Sequence, residues 1–384
     1  MAEVVDIIVA GAGPVGAVCA LALRQGGLNP QVLEARAKDT PVNDKRTLAL
    51  SYGSRLILER LGVWAHLADA TAITRIHVSH KGGLGRAELN ADEEGVPALG
   101  YVLAYDQLYH ALEMALRDAG VSIRYGAPVE RVSPGTDVAS IRAAGEHPDA
   151  LAARLVIIAD GGRGGSAGKP LFSHDYHQVA VVADVTTELP HRGLAYERFT
   201  PDGPVALLPK GNGFSLVWVN PPEKAEQIMS LDDAGFLTAL REHFGGRQGR
   251  FISTGPRARF PLKLDYRGVW AGARVVRIGN ASQTLHPVAG QGFNLGLRDA
   301  WELAQSCLET PAELLGASQQ LQTYAAGRRR DALPGIGFTD FLVKSFSTSN
   351  ALLRHLRGAG LMALQAIPPA RHFVARRMLF GRHG

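Results

Sequence analysis

Apolar positions along this chain fall into two rhythms, and the rhythms alternate in blocks. Residues 4–9 are apolar except for Asp6, the pattern of a parallel strand buried on both faces. Residues 17–24 continue as a helix, and residues 30–33 read as a second strand. A further helical pattern over residues 53–61 stops at Gly62. Two short strand-like pieces, 76–79 and 86–89, are assigned to a second sheet. Leu108, Leu112, Met114 and Leu116 supply the apolar positions of a helix over residues 105–118. Strands are predicted over 121–125, 129–132, 139–143 and 155–159.

From residue 176 to 264 the alternation is that of strands, over 176–183, 194–199, 205–209 and 214–219. Thr200-Pro201-Asp202-Gly203-Pro204 marks a tight turn. An amphipathic helix is predicted over 231–244, and residues 260–262 lead back to the first sheet. Residues 275–278 form another strand. Beyond a Pro/Gly-rich loop at 285–292, Phe293, Leu297, Ala300 and Leu303 return to helical spacing. The stretches 338–346, 352–357, 361–364 and 373–380 also read as helical. These blocks predict an α/β chain: a Rossmann-like domain, an inserted mixed β-sheet and a C-terminal helical region.

Composition sharpens this only in places. With 384 residues, 46% of them hydrophobic and 20% charged, the chain can bury a sizeable core and is too apolar for disorder. The formal charge of +5 is a mild basic bias that indicates no nucleic acid. The only cysteines are Cys19 and Cys307. Cys19 falls in a predicted buried helix, so a disulfide framework is not expected and a reducing, cytoplasmic setting fits. The first residues lack a basic segment ahead of the first strand, so no signal peptide is expected. No apolar run reaches the ~18 residues that a membrane-crossing helix needs. No internal repeat, low-complexity segment or metal site is expected. From Phe341 onward there is no Asp or Glu, but Lys344, Arg354, Arg357, Arg371, Arg376, Arg377 and Arg382 are present. Such a basic, apolar tail suits an anionic membrane surface; a helical pair packed on the body with solvated arginines is the alternative.

Candidate chemistry concentrates in glycine-rich turns. Gly11-Ala12-Gly13-Pro14-Val15-Gly16 follows the first strand and opens the first helix, and the second strand ends on Glu34. In such a βαβ unit Gly11 makes the tight turn, Gly13 admits a pyrophosphate, Gly16 lets helix meet strand, and Glu34 accepts from ribose hydroxyls. The arrangement marks a dinucleotide without separating NAD from FAD. The second turn runs from Gly279 through Pro287 to Asn294. It also joins a strand to a helix, the geometry that aims backbone N–H groups at an anion. Gly290 and Gly292 lack a Cβ, so a flat group can lie against the backbone there.

The second turn resembles the FAD fingerprint of the aromatic-ring flavin hydroxylases, through Gly279, Asn280, Ala281, Ser282, Gln283, Pro287, Gly290, Gln291, Gly292 and Asn294. Asn280 stands where most members have Asp, and Gln283 where most have His. The variant looks like the branch that hydroxylates 2-polyprenyl-6-methoxyphenol in ubiquinone synthesis. Residues 43–51 resemble the family's D-x-R-x-x-A-L-S segment, which implies that Arg46 lies beside FAD. Ala159-Asp160-Gly161 resembles its A-D-G segment, whose Asp and Gly serve flavin and nicotinamide; the usual continuation is blurred across residues 162–166. Glu197-Arg198-Phe199-Thr200 looks like part of its substrate sheet. The resemblance covers nearly the whole chain.

It implies a discontinuous FAD-binding domain over 1–72, 100–175 and 265–335, a substrate sheet over 73–99 and 176–264, and a basic helical region over 336–384. FAD would be held by Gly11, Gly13, Pro14, Val15, Gly16, Glu34, Ala35, Arg46, Asp160, Gly279, Asn280, Pro287, Gly290, Gln291, Gly292, Phe293 and Asn294. NAD(P)H would be the electron donor and O₂ the co-substrate, with hydroxylation of a polyprenyl phenol through a flavin C4a-hydroperoxide. Backbone N–H groups of residues 291–294 would stabilise the reduced flavin. No catalytic base is nominated; Pro287 and His286 are the candidates for a role beside the flavin. Implied partners are other ubiquinone-synthesis proteins and the inner membrane surface. Two other classes remain open: a non-catalytic flavin-binding accessory protein, and a flavin hydroxylase of a soluble aromatic compound.

Overall fold

The strand Val4–Ala10 sits at the centre of a seven-stranded sheet. Ile7, Ile8 and Val9 are fully buried, as the unbroken apolar run requires. The computed structural model describes residues 4–42, 44, 46–83, 85–144, 150–162, 168–269, 272, 274–286, 290–346 and 351–383. On one side of Val4–Ala10 lies Pro30–Leu33, followed by Ser122–Arg124; on the other lies Ala150–Ile158, and all run parallel. The C-terminal half of Ala150–Ile158 pairs in parallel with Val275–Arg277. Its N-terminal half pairs antiparallel with Ala139–Ala143, which in turn pairs with Val129–Ser133.

Register determines what this sheet offers. Ala10 lies opposite both Leu33 and Ile158, and Ile158 lies opposite Arg277. The chain therefore leaves four neighbouring strands along one line, into Gly11, Glu34, Asp160 and Gly279. Open parallel sheets bind ligands beyond such carboxyl ends. The helix Pro14–Gln25 packs with Tyr105–Asp118 and Gln291–Leu308 over one face, joining the core of Leu21, Leu23, Leu112, Ile157 and Leu303. Cys19 and Cys307 are buried free thiols in that core.

A nine-stranded sheet forms a second layer. Its main order is Gln283–Thr284, Ala258–Tyr266, Phe172–Thr187, Gly213–Asn220, Val205–Lys210, Leu194–Phe199, Arg75–His80 and Arg86–Asn90, with Phe251–Thr254 beside Phe172–Thr187. The two early pieces assigned to a second sheet do join it, and Arg75–His80 pairs in parallel with Leu194–Phe199. One face packs Phe214 and Trp218 against Phe236, Leu240 and Phe244 of the helix Asp233–Phe244. That helix starts two residues later than its apolar pattern, because the Asp232 side chain accepts from Gly235 N at 2.8 Å and caps it. A neighbouring helix, Pro222–Ser230, adds to the predicted elements. Thr47–Ser51, Gly100–Ala104 and Thr71–Ile73 form a small third sheet.

The C-terminal region is continuous with the body. Ser318–Phe346 is one helix running through Pro334 and across the position 335/336, followed by Ala351–Ala366 and Pro368–Phe380. Among the described residues no helix is long and apolar enough to cross a membrane. Ala375 and Leu379 bury against Leu89, Ala91 and Leu99. Its charges are used in the same docking. Arg371 pairs with Glu93 at 2.8 Å, Arg382 with Glu302 at 3.2 Å, and Arg377 lies 3.7 Å from Asp331. Arg376 lies over the Phe380 ring and Arg357 is buried. The side chains of Lys344 and Arg354 are outside the described residues. Among the described residues, Arg371, Arg377 and Arg382 of the tail thus face acids of the body.

Beneath the tail lies a buried charge cluster. Arg328, 1% exposed, donates to Asp299 at 2.7 Å and Glu302 at 2.7 Å, and lies 3.0 Å from Asp331. Asp299 also accepts from Gly279 N at 3.1 Å and from the Gln283 amide at 2.9 Å. Asp331 accepts from Arg298 and from Arg382 N. Burial disfavours the Arg328 charge, but Asp299, Tyr324, Glu302 and Asp331 outweigh it and raise its pKa. Burial pushes the Asp299 carboxyl up, against the pull of Arg328. The donors decide between the two: three N–H groups converge on Asp299, as on a carboxylate that needs acceptors only.

Candidate active site

The first glycine turn is built as a cradle. Gly11 has φ +109°, and a Cβ there would lie 2.7 Å from Ala159 O. A Cβ on Gly16 would lie 2.0 Å from Gly11 O, so helix and turn touch backbone to backbone. Gly13 differs: its Cβ position meets nothing within 4 Å, at the open N-terminus of the helix Pro14–Gln25. Pro14 occupies the first helical position, where its missing N–H costs nothing, and the first turn carries no acid. Space beside uncapped helix N–H groups is what a pyrophosphate needs. Glu34 is buried next to this turn. It accepts from Ala12 N at 2.7 Å and from Arg36 N and Nε at 3.0 Å each, so the same carboxylate braces the turn. Ala35 follows it as an exposed bend.

The second turn interlocks with the first. Val15 packs so closely that a Cβ on Gly279 or on Gly296 would come within 3.0 Å of it. Asn280 is exposed in a short 3₁₀ turn, Gly279–Ala281. Asp160 accepts from Gly162 N at 2.9 Å, and the Cβ position of Gly162 lies 3.1 Å from Asn280 O, so these two loops meet. Gly290, at φ +59°, starts the helix Gln291–Leu308 with no side-chain cap. In an α-helix the N–H groups of the first turn point out of the N-terminal end, whereas residue 294 lies one turn in. Phe293 packs against the core beneath.

Other expected site residues are engaged elsewhere. The Asn294 amide makes all four of its hydrogen bonds to protein. It accepts from Ser51 N and Ser54 Oγ and donates to Ala49 O and Gly290 O, at 2.7–2.9 Å. Its side chain ties the third sheet to the second turn and has no bond left for a cofactor. Arg46 is bound to Asp44 through Nε at 2.9 Å and packs over Tyr105. His286 is buried between Tyr176 and Gln178, and burial lowers its pKa to about 4, so it is neutral near pH 7. Pro287 and the blurred residues 163–166 lie outside the described residues.

Beyond Gly290 opens an apolar cavity of about 200 Å³. Gly290 and Ala49 line its near end. The inner face of the nine-stranded sheet supplies Val78, Ala206 and Val217, and the tail helices supply Leu361, Val374 and Met378. The C-terminal region is thus a wall of this chamber. Apolar cavities of ~150 Å³ hold a benzene ring, so there is room here for one substituted ring. The carboxyl of Glu197 also lines it, and burial raises its pKa to about 7. Glu197 is partly exposed, and the space beside it is the cavity. In the sequence Glu197 stands out only as part of a motif; its alternation with Ala195 and Phe199 is the one signal that could have found it. A larger, more polar groove of about 1290 Å³, beside Arg298 and Trp301, reaches neither glycine turn.

A dinucleotide edge opening onto a sheet-walled apolar chamber defines a cofactor-dependent α/β enzyme fold with a separate place for substrate. Residues 4–333 match the model of the FAD binding domain family, and the chain belongs to that family. Its cofactor is FAD. The chain is 31% identical to ubiquinone hydroxylase UbiL of Rhodospirillum rubrum, over 98% of this chain and 90% of that protein. It is 29% identical to 3-demethoxyubiquinol 3-hydroxylase of Escherichia coli, over 94% of each. The fold superposes on p-nitrophenol 4-monooxygenase PnpA of Pseudomonas putida with a TM-score of 0.79 across 100% of both chains, at 19% identity.

The glycine geometry separates fold from cofactor binding. Gly16→Ala places a Cβ into the Gly11 carbonyl and is expected to unfold the domain or lower its melting temperature sharply. Gly13→Ala meets open space in the protein. It should leave the apoprotein's melting temperature within a few degrees while weakening FAD about tenfold or more, a loss of ~1.4 kcal/mol. Equal FAD affinity for Gly13→Ala and wild type in titration would place the pyrophosphate elsewhere.

Proposed function

We propose that this chain is an FAD-dependent monooxygenase that hydroxylates the aromatic ring of a polyprenyl phenol in ubiquinone synthesis. The observation that carries the reading is the junction at Gly290 and Ala49, where the second glycine turn becomes the end wall of an apolar chamber. The names of the Rhodospirillum and Escherichia relatives support the substrate class.

In this reading the pyrophosphate of FAD lies against Gly11–Gly16, its ribose against Glu34, and its ring system near Asn280 and Gly290–Phe293. Arg46 reaches the cofactor only if it leaves Asp44. When bound, FAD supplies reduction by NAD(P)H and activation of O₂. The protein's share is placement. First-turn N–H groups of the helix Gln291–Leu308 stabilise negative charge on the ring system. The apolar chamber excludes water and holds the phenol ring. The discontinuous first sheet acts as cofactor domain and the nine-stranded sheet as substrate domain.

A polyprenyl tail exceeds a 200 Å³ chamber and must leave it. The tail helices give it an apolar route: Leu361, Val374 and Met378 face the chamber, while Met362, Ile367 and Phe373 on or between the same helices are 49%, 50% and 68% exposed. These residues support a location on the membrane surface that rests on apolar contact, since several tail arginines are already paired.

Two measurements test the proposal. FAD-loaded protein given a short-chain prenylated phenol should consume NAD(P)H and O₂ in a phenol-dependent way and yield a product heavier by one oxygen atom. Bound FAD without turnover would favour an accessory protein, and turnover restricted to hydrophilic phenols would favour a soluble substrate. Separately, vesicle co-sedimentation should be nearly insensitive to salt and lipid charge, and Phe373→Ser should weaken it about tenfold, the effect of one exposed aromatic side chain withdrawn from apolar contact. Binding confined to anionic vesicles at low salt would restore the arginines as the anchor.

A further inference from the structure

Glu197 lies where a carboxylate has nothing structural to do. It belongs to the strand Leu194–Phe199, opposite Val78 on one neighbour and Ala206 on the other, and both of those line the chamber with it. Alternation along the strand sends Ala195, Glu197 and Phe199 inward and Arg198 to the other face. No ion pair or hydrogen bond to Glu197 is found among the described residues, and its pKa is raised by burial alone. An unpaired acid on an apolar wall is expensive unless a ligand uses it.

Apart from Tyr196, the other residues that line the chamber carry no titratable group. The chamber faces Ile76 and Val78 from one strand, Ala87 and Leu89 from the next, Ala206 and Leu208 from a third, and Val217 and Val219 from a fourth. The helices present Leu361, Leu364, Val374 and Met378. His77 and Glu88 occupy alternate positions on those strands and turn away, and His77 packs on Tyr196 from the opposite face. Lys210 shares the inner face with Ala206 and Leu208 at the end of its strand, where it is held by Asp184 at 2.7 Å and Thr47 at 3.3 Å. Tyr196 borders the chamber, but its ring turns to the opposite face, against Phe214 and Phe244, and its hydroxyl accepts a hydrogen bond from Gln248.

Resting on the phenol-hydroxylase reading, we propose that Glu197 is the catalytic acid–base: its carboxylate takes the proton of the substrate's phenolic hydroxyl and later returns it. In the first step the phenolic O–H bond breaks and a carboxyl O–H bond forms. The electron pair stays on the phenolate oxygen and is shared into the ring, which makes the ring carbon a better nucleophile. That carbon bonds one oxygen atom of O₂. The other atom becomes water with the two electrons and the proton balance supplied by NAD(P)H and solvent. The resulting dienone loses its ring C–H proton to solvent as Glu197 returns its proton to the carbonyl oxygen, restoring an aromatic diol and the carboxylate. A pKa near 7 places Glu197 where one group can both accept and donate a proton at neutral pH.

The test uses full-length, FAD-loaded protein and a short-chain prenylated phenol. For wild type, kcat/KM should rise with pH through an apparent pKa near 7. Glu197→Gln should lower kcat about a hundredfold or more, change KM by less than about threefold and abolish that pH dependence. FAD content should be unchanged, and Glu197→Asp should recover part of the rate. A ring-fluorinated phenol already ionised at the assay pH should rescue Glu197→Gln, because it needs no base. An active wild type matched by an equally active Glu197→Gln with the same pH profile overturns the role of Glu197 alone. A wild type inactive on every phenol overturns both this role and the hydroxylase reading.

Discussion

Arg328 is the point on which the rest of the site depends. Its guanidinium is sealed in the interior among Asp299, Glu302 and Asp331, and these carboxylates lead to two separate parts of the molecule. Asp299 holds the backbone of Gly279 and the side chain of Gln283, the start of the second glycine turn. Asp331 and Glu302 receive Arg382 from the C-terminal end. A buried guanidinium this deep is tolerable only because several acids and hydrogen bonds surround it. Removing one partner strands the others, so the cluster joins cofactor turn, long helix and tail. It also explains Gln283 physically, since a neutral amide at that position donates to Asp299.

Two environments with opposite demands are placed side by side by this scaffold. The parallel strands deliver Gly11, Glu34, Asp160 and Gly279 to one line, where N–H groups and a carboxylate suit a charged dinucleotide. The nine-stranded sheet and the tail helices make the neighbouring wall apolar, which suits a lipid-like aromatic substrate. Gly290 and Ala49 are where the two meet, and Asn294 holds them together with all four hydrogen bonds of its amide. Packing a lone Glu197 into the apolar side concentrates proton chemistry at one position.

Much of the scaffold was legible because local patterns carry it. The strands Pro30–Leu33 and Leu194–Phe199 and the helix Tyr105–Asp118 stand where their periodicity put them. The first glycine turn was legible because a tight turn, a pyrophosphate and a helix contact each require glycine at a fixed spacing. The illegible parts depend on distant partners. Nothing near Arg371 or Arg382 reveals Glu93 or Glu302, so a row of paired arginines read as a free basic surface. Asn294 read as a cofactor ligand because its partners Ala49 and Ser51 are more than 240 positions away. Glu197 becomes visible only when strands from three parts of the chain close around it.

If Arg328 couples the cofactor turn to the tail, one substitution must disturb both. FAD titration and limited proteolysis of the C-terminal helices should be followed together in Arg328→Met, with Arg328→Lys as the milder variant. Stranding buried carboxylates is expected to lower stability by about 3–5 kcal/mol. FAD affinity should fall and cleavage of residues 351–383 should accelerate in parallel, each less so for the lysine variant. A loss of stability that leaves FAD affinity and tail protection at wild-type levels would contradict the account.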